Sequence, residues 1–210
     1  MGDGAIRVAV GLRLGLNIRE PHSCPCGANV DARGLHGLAC KRSAGRLTRH
    51  QQLNDIIWRA LKRADIPSTK EPTGLLRGDG KRPDGLILVP WQAGKCLTWD
   101  ATVVDTLTSS YVLVTATRVV GAADAAAERK YLKYASITNM HIFVPMAIET
   151  LGPICSGCLS FLVEISNRLA TISGEARVTS FLFQRISVLS QCFNQMAFRG
   201  TFIDGNDTEG

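Results

Sequence analysis

Glu71, Asp84 and Asp100 lie in three short consecutive segments that read as strands, and Cys24, Cys26, His36 and Cys40 crowd into 17 positions upstream. These two groups carry the chemistry the sequence offers. A carboxylate inside a buried strand is costly unless it is paired or bound to a metal. Three that converge form an oxygen cage for Mg²⁺ or Mn²⁺. Such a metal polarises a phosphodiester, activates a water and stabilises the leaving oxygen. Asp100 and Thr102 are two apart and so share one sheet face. Lys130 and Lys133 lie one turn apart on the next predicted helix and share a face. A lysine near a scissile phosphate orients the attacking water or stabilises developing charge. Taken singly, each acid reads as ordinary surface and each lysine as a solvated helix-end charge; the joint pattern carries the reading. Glu149, after the last predicted strand, is a weaker candidate for a fourth acid.

The thiols and the imidazole follow the pattern Cys-x-Cys, nine residues, His36, three residues, Cys40. Zinc takes four such ligands in a tetrahedron, and short loops supply them. Gly27, Gly34 and Gly37 allow the sharp turns this loop needs. Four ligands leave no open position, so a structural Zn²⁺ is expected rather than a catalytic one. His22 is a possible substitute ligand, and buried unpaired cysteines in a glycine-rich loop are the alternative. Cys155-x-x-Cys158 has the spacing of a redox or metal pair, but its apolar surroundings read as packed free thiols. Residues 1–20 lack the pattern of a signal peptide. No apolar stretch reaches the ~18 residues of a membrane span. The cysteines are therefore expected as thiols or metal ligands in an intracellular, reducing compartment.

The elements that must position these groups are legible in outline. The chain has 210 residues, 45% hydrophobic and 20% charged. That excludes collagen-like, low-complexity and disordered chains and allows a real core without disulfides. Residues 1–20 read as a short amphipathic or strand-like lead-in, cut from something longer, and 21–45 as the knuckle. A helix is predicted over 46–64, where Leu53, Ile56, Ile57, Ala60 and Leu61 recur at helical spacing. Strands are predicted near 69–76, 84–90 and 96–104, with a hairpin connection at Gln92-Ala93-Gly94-Lys95. An Ala-rich helix over 122–137 and a strand over 141–148 follow. Two helices, about 155–172 and 175–198, precede a polar, frayed tail. The expected class is α/β: helix, three strands, helix, strand, then two C-terminal helices. The core spans 46–150, the helical pair 151–200 and the tail 201–210.

The formal charge is +6, and it is uneven. Residues 1–70 hold 12 Lys/Arg against 5 Asp/Glu, a net +7, and the rest of the chain is close to neutral. A basic first third points to a polyanionic partner. Lys41, Arg42, Arg46, Arg49, Arg59, Lys62 and Arg63 are the expected grips on a nucleic-acid backbone, with His50, Lys81 and Arg82 beside them. There is no P-loop, no dinucleotide fingerprint and no serine nucleophile motif.

The Cys24/Cys26/His36/Cys40 knuckle followed by Arg49-His50 is the first of two features that occur together. The second is Glu71-Pro72, Lys81-Arg82-Pro83-Asp84, Trp99-Asp100 and Arg129-Lys130-Tyr131-Leu132-Lys133-Tyr134. In this order they resemble the restriction-like endonuclease domain at the C-terminus of site-specific non-LTR retrotransposons, of the PD-(D/E)xK nuclease superfamily. Residues 81–91, Glu149-Thr150-Leu151-Gly152 and Gln184-Arg185-Ile186-Ser187-Val188 are also similar to C-terminal tails of reverse-transcriptase-containing proteins. The resemblance covers about residues 5–195. It implies a PD-(D/E)xK core, Mg²⁺ dependence, nicking of target DNA, an upstream reverse-transcriptase domain, element RNA as a second ligand, and a nuclear place of action. By residue it implies Asp84 as the Pro-Asp acid, Asp100 as the second metal-binding acid, Glu71 as the upstream acid, and Lys130 or Lys133 as the helix lysine. The superfamily's usual third-strand lysine falls at Thr102, a departure that makes the helix lysines necessary. A catalytically inactive nucleic-acid-binding remnant is the alternative, and a purely structural module stapled by zinc is the third reading.

Overall fold

The computed structural model describes residues 1–43, 45–75, 80 and 82–202, without the side chains of Arg46 and Leu47. Lys81, the side chain of Arg46 and most of the tail at 201–210 therefore lie outside the described residues.

The described chain is mixed α/β, with seven α-helices and one four-stranded sheet beside a small hairpin. The first helix, α1, runs over Asp3–Leu14. Of the amphipathic or strand-like lead-in expected here, the strand-like alternative is thereby corrected. Asp3 stands in its first turn and Arg13 in its last, the order that suits the helix dipole. Gly15 ends it in the left-handed region at φ 66°, a glycine C-cap. α1 buries Ala5, Val8, Ala9 and Leu12 and packs on the last helix of the chain. The hairpin of β1 (His22–Ser23) and β2 (Asn29–Val30) follows, then one turn of helix, α2 (His36–Ala39).

α3 spans Gly45–Arg63 and buries Leu53, Ile56, Ile57, Ala60 and Leu61, the stripe its periodicity predicts. The sheet is built from β3 (Ser68–Lys70), β4 (Gly85–Ile87), β5 (Cys96–Val104) and β6 (His141–Glu149), in that spatial order. The first two pairings are antiparallel and the last is parallel. β3 is shorter than the predicted 69–76. Glu71 adopts φ 50° and Pro72 offers no N–H, so the ladder ends and a 3₁₀ turn at Thr73–Leu75 takes over. β4 likewise stops before Leu88 and Val89, which are exposed. Pro145 is tolerated because β6 lies at the sheet edge.

A parallel pair needs a crossover, and α4 (Val112–Thr115) and α5 (Gly121–Lys133) lie within it. Ala122, Ala123, Ala126 and Ala127 of α5 are buried, small enough to let the helix lie close on β5 and β6. Glu149, a candidate fourth acid, accepts hydrogen bonds from the Ala122 and Ala123 N–H groups at 3.1 Å each. It caps the α5 N-terminus, where a carboxylate is favoured. α6 (Ser156–Ser173) and α7 (Val178–Arg199) complete the main core. α7 buries Val178, Leu182, Ile186 and Phe193, while Phe181 is half exposed.

Candidate functional site

Register gathers the three carboxylates. Lys70 pairs with Gly85, and Gly85 pairs with Trp99. One step further along both antiparallel ladders, Glu71, Asp84 and Asp100 fall in one row across the sheet. The Glu71 N–H donates to the Asp84 carbonyl at 2.8 Å, which holds the first step of that row. Gly85 is obligatory here, because a Cβ at this position would stand 1.9 Å from the Trp99 ring. Trp99 is fully buried and donates from Nε1 to Asn54 Oδ1 at 2.8 Å. Asn54 Nδ2 in turn reaches the Asp84 carbonyl at 3.4 Å. Thus α3, β4 and β5 are fixed to one another immediately beneath the acids.

The row opens into a cleft of about 510 Å³ lined by His50, Glu71, Arg82, Asp84, Asp100, Lys130, Lys133 and Tyr134, with Gly80 and Pro83. Asp84 Oδ2 accepts from the Ala101 N–H at 2.6 Å and stands 3.1 Å from His50 Nε2. That carboxylate pushes the His50 pKa above its ordinary 6.5, against an opposing effect of burial. Asp100 is almost fully buried. Its Oδ2 pairs with Lys130 Nζ, and its Oδ1 lies 2.8 Å from the Tyr134 hydroxyl. The same hydroxyl is 3.0 Å from the Arg82 carbonyl and accepts from Lys133 Nζ at 2.9 Å. The two lysines therefore differ: Lys130 meets the acid directly, and Lys133 reaches it through Tyr134.

Glu71 is brought to the cleft but not into its interior. Its left-handed backbone turns the side chain outward, where it pairs with Arg82. Thr102 shares the Asp100 face of β5 but does not line the cleft. Two residues of the site fall outside the expected acids and lysines. Tyr134 is fully buried, one turn after Lys130 and hence on the same face of its helix. Asn54 is a polar position within the apolar stripe of α3, a pattern that itself signals a buried hydrogen-bonding role.

The second centre is local. The β1–β2 hairpin turns through Cys24-Pro25-Cys26-Gly27, with the Cys24 N–H on the Ala28 carbonyl at 2.8 Å and Gly27 at φ 90°. α2 brings His36, and Cys40 follows directly. The four ligand atoms lie within 4.8 Å of one another. The Cys24 and Cys40 sulfurs are 3.8 Å apart, and Cys26 Sγ is 3.2 Å from His36 Nε2. Burial pushes the Cys24 thiol up to about 11, whereas the Ala28 backbone N–H draws Cys26 down to about 7. Three thiols and an imidazole at this separation suit a tetrahedral, structural Zn²⁺. His22 is not a substitute ligand: its Nε2 lies 2.8 Å from the Thr201 hydroxyl and its ring stacks on Phe202.

The chain matches no protein-family model and no curated protein. Its function must therefore be argued from these side chains.

The basic residues are dispersed. Arg49, expected on a phosphate backbone, is buried, where its charge opposes the burial that raises the Asp105 pKa. Arg42 is exposed but donates to the Pro25 carbonyl at 2.8 Å, clasping the knuckle, beside exposed Lys41. Arg59 pairs with Asp55 at 2.5 Å, and Lys62 lies 5.6 Å from the Trp58 ring centre. Arg63 is exposed near the end of α3. His50 and Arg82 enter the carboxylate cleft itself. Cys155 and Cys158 are buried, as packed thiols should be. The Cys158 thiol draws the Cys155 pKa down to about 7.

Proposed function

We propose that this chain is a metal-dependent DNA endonuclease domain with a PD-(D/E)xK core. The observation that carries the reading is the convergence of Asp84 and Asp100 with His50, Lys130 and Tyr134 in one open cleft. The order helix, three strands, helix, strand supports the same fold.

The residues fit a hard cation. Asp84 and Asp100 offer carboxylate oxygens from adjacent strands, the donor type Mg²⁺ and Mn²⁺ prefer. Each is already matched to a cation of the chain, His50 or Lys130, so the cleft is built around positive charge. When bound, the metal supplies Lewis acidity at the scissile phosphate and lowers the pKa of a water. Lys130, held at Asp100, would orient an attacking water and offset charge accumulating on the phosphoryl oxygens. Tyr134 holds the Asp100 carboxylate in one orientation, and Asn54 braces the Asp84 backbone. Glu71, held by Arg82, serves at the rim. DNA is the proposed substrate, with an upstream reverse transcriptase and its RNA as the partners the resemblance brings, in the nucleus. The structural Zn²⁺ keeps the knuckle folded and has no chemical step.

Supercoiled plasmid incubated with the protein and Mg²⁺ or Mn²⁺ is expected to become nicked circles, and Asp84→Ala and Asp100→Ala are expected to abolish this. Salt-dependent DNA binding with no cleavage under either metal would instead identify a non-catalytic binding module.

A further inference from the structure

α3 and α7 present the same pattern to a second, smaller cleft. From α3 come Ile56, Arg59, Ala60 and Arg63; from α7 come Val178, Phe181, Leu182 and Arg185. In both helices the spacing is i, i+3, i+4, i+7, one continuous face. Ile56, Ala60, Val178 and Leu182 are buried and form the floor with Leu169 of α6. Arg59, Arg63 and Arg185 are exposed on the rim. None of the described residues lining this cleft is acidic. Arg59 leans on Asp55 at 2.5 Å, which fixes its guanidinium and leaves the rim cationic overall. Arg177 lies 5.3 Å from the Phe181 ring centre, although Glu175 balances its charge.

The buried floor already serves as core, so only the charged rim is unexplained. Long side chains that lay apolar stems on a surface and hold guanidinium groups in water are built to meet an anion. Three such groups on two helices fit an extended polyanion, and Arg185 joins Arg59 and Arg63 only because α7 packs on α3. His50 and Arg63 are 13 residues apart on α3. At about 1.5 Å per residue Arg63 therefore lies about 20 Å along the α3 axis from His50.

We propose that the Arg59–Arg63–Arg185 cleft is a second contact for a DNA phosphate backbone, separate from the carboxylate cleft. The identity of the polyanion rests on the nuclease reading, while the charged cleft itself does not. The contact carries no sequence information.

The test is duplex binding by the full zinc-loaded chain in buffer free of Mg²⁺, Mn²⁺ and chelator, followed by fluorescence anisotropy over a salt series. Comparison is made with Arg63→Ala/Arg185→Ala and with Arg63→Lys/Arg185→Lys. The alanine pair is expected to lower the slope of log K against log salt by about 2, and to weaken binding on the order of 50-fold at 0.1 M salt. The lysine pair keeps the charge and is expected to keep the slope. An unchanged slope in the alanine pair, an equal loss in the lysine pair, or no binding by the wild-type chain overturns the proposal. Plasmid nicking is scored separately. A protein that nicks with an indifferent slope loses this cleft and keeps the nuclease reading. One that binds through the cleft and never nicks loses the nuclease reading alone.

Discussion

Cys24, Cys26, His36 and Cys40 are gathered by one hairpin and one helical turn, whereas His50, Asp84, Asp100 and Lys130 come from four elements spread over 81 positions. The two centres also balance their charges differently. In the cleft Asp84 and Asp100 each already face a cation and a hydrogen-bond donor. In the knuckle, neighbouring donors are driven in opposite directions, Cys24 up and Cys26 down. A centre made of local donors depends on its ion for folding. A centre assembled by sheet register is carried by the core and persists without one.

Removal of zinc should have the largest effect. Structural zinc in small knuckles is worth about 10–16 kcal/mol of binding free energy, which is also folding free energy. Cys40→Ser is expected to abolish stoichiometric zinc and to disorder 21–43 in NMR spectra, while cleft resonances persist. Loss of both sets together would break the contrast. Zinc must displace the Cys24 proton, held at about 11, so affinity should rise with pH across the neutral range.

Within the cleft the two lysines should separate. Lys130→Ala is expected to lower the single-turnover nicking rate by about 10²–10³-fold, the cost of removing a preorganised charge. Lys133→Ala should cost less, because its amine meets Tyr134 rather than Asp100. Equal losses would contradict the division of roles.

Gly85→Ala sharpens the comparison from the side of packing. Its Cβ meets the Trp99 ring, and the strands must shift, at a cost of about 3 kcal/mol. Thermal unfolding should fall accordingly while zinc stoichiometry stays at one.

The smallest effect is a titration. In zinc-loaded protein without Mg²⁺, His50 is expected to titrate above 6.5 by NMR and to drop in Asp84→Asn, since the Asp84 carboxylate is the main cause of the rise. The sign follows: the His50–Asp84 pair stabilises the fold fully below the unfolded pKa, near 6.5. That contribution is lost as pH rises through the higher folded value. An unshifted His50 would place the imidazole away from Asp84.

Much of this was legible beforehand. β5 was predicted at 96–104 and is found at Cys96–Val104, because a β-branched run bounded by turn residues has few alternatives. The knuckle ligands were legible because their spacing is their geometry. Other features depend on distant partners. α1 carries Gly4 and Gly11, poor helix formers, and is held by α7 nearly two hundred residues later. The burial of Arg49 and the α5 cap made by Glu149 follow from the crossover, which charge patterning does not report. Tyr134 gained its role only when the β4–β5 register set Asp100 beneath it.

The decisive measurement is nicking of supercoiled plasmid with Mg²⁺ by the wild-type chain and by Asp84→Asn, both loaded with zinc and equally folded. The account predicts nicked circles from the wild type, none when Mg²⁺ is left out, and a rate lowered at least about 100-fold in the variant. Equal nicking by the two proteins would contradict it.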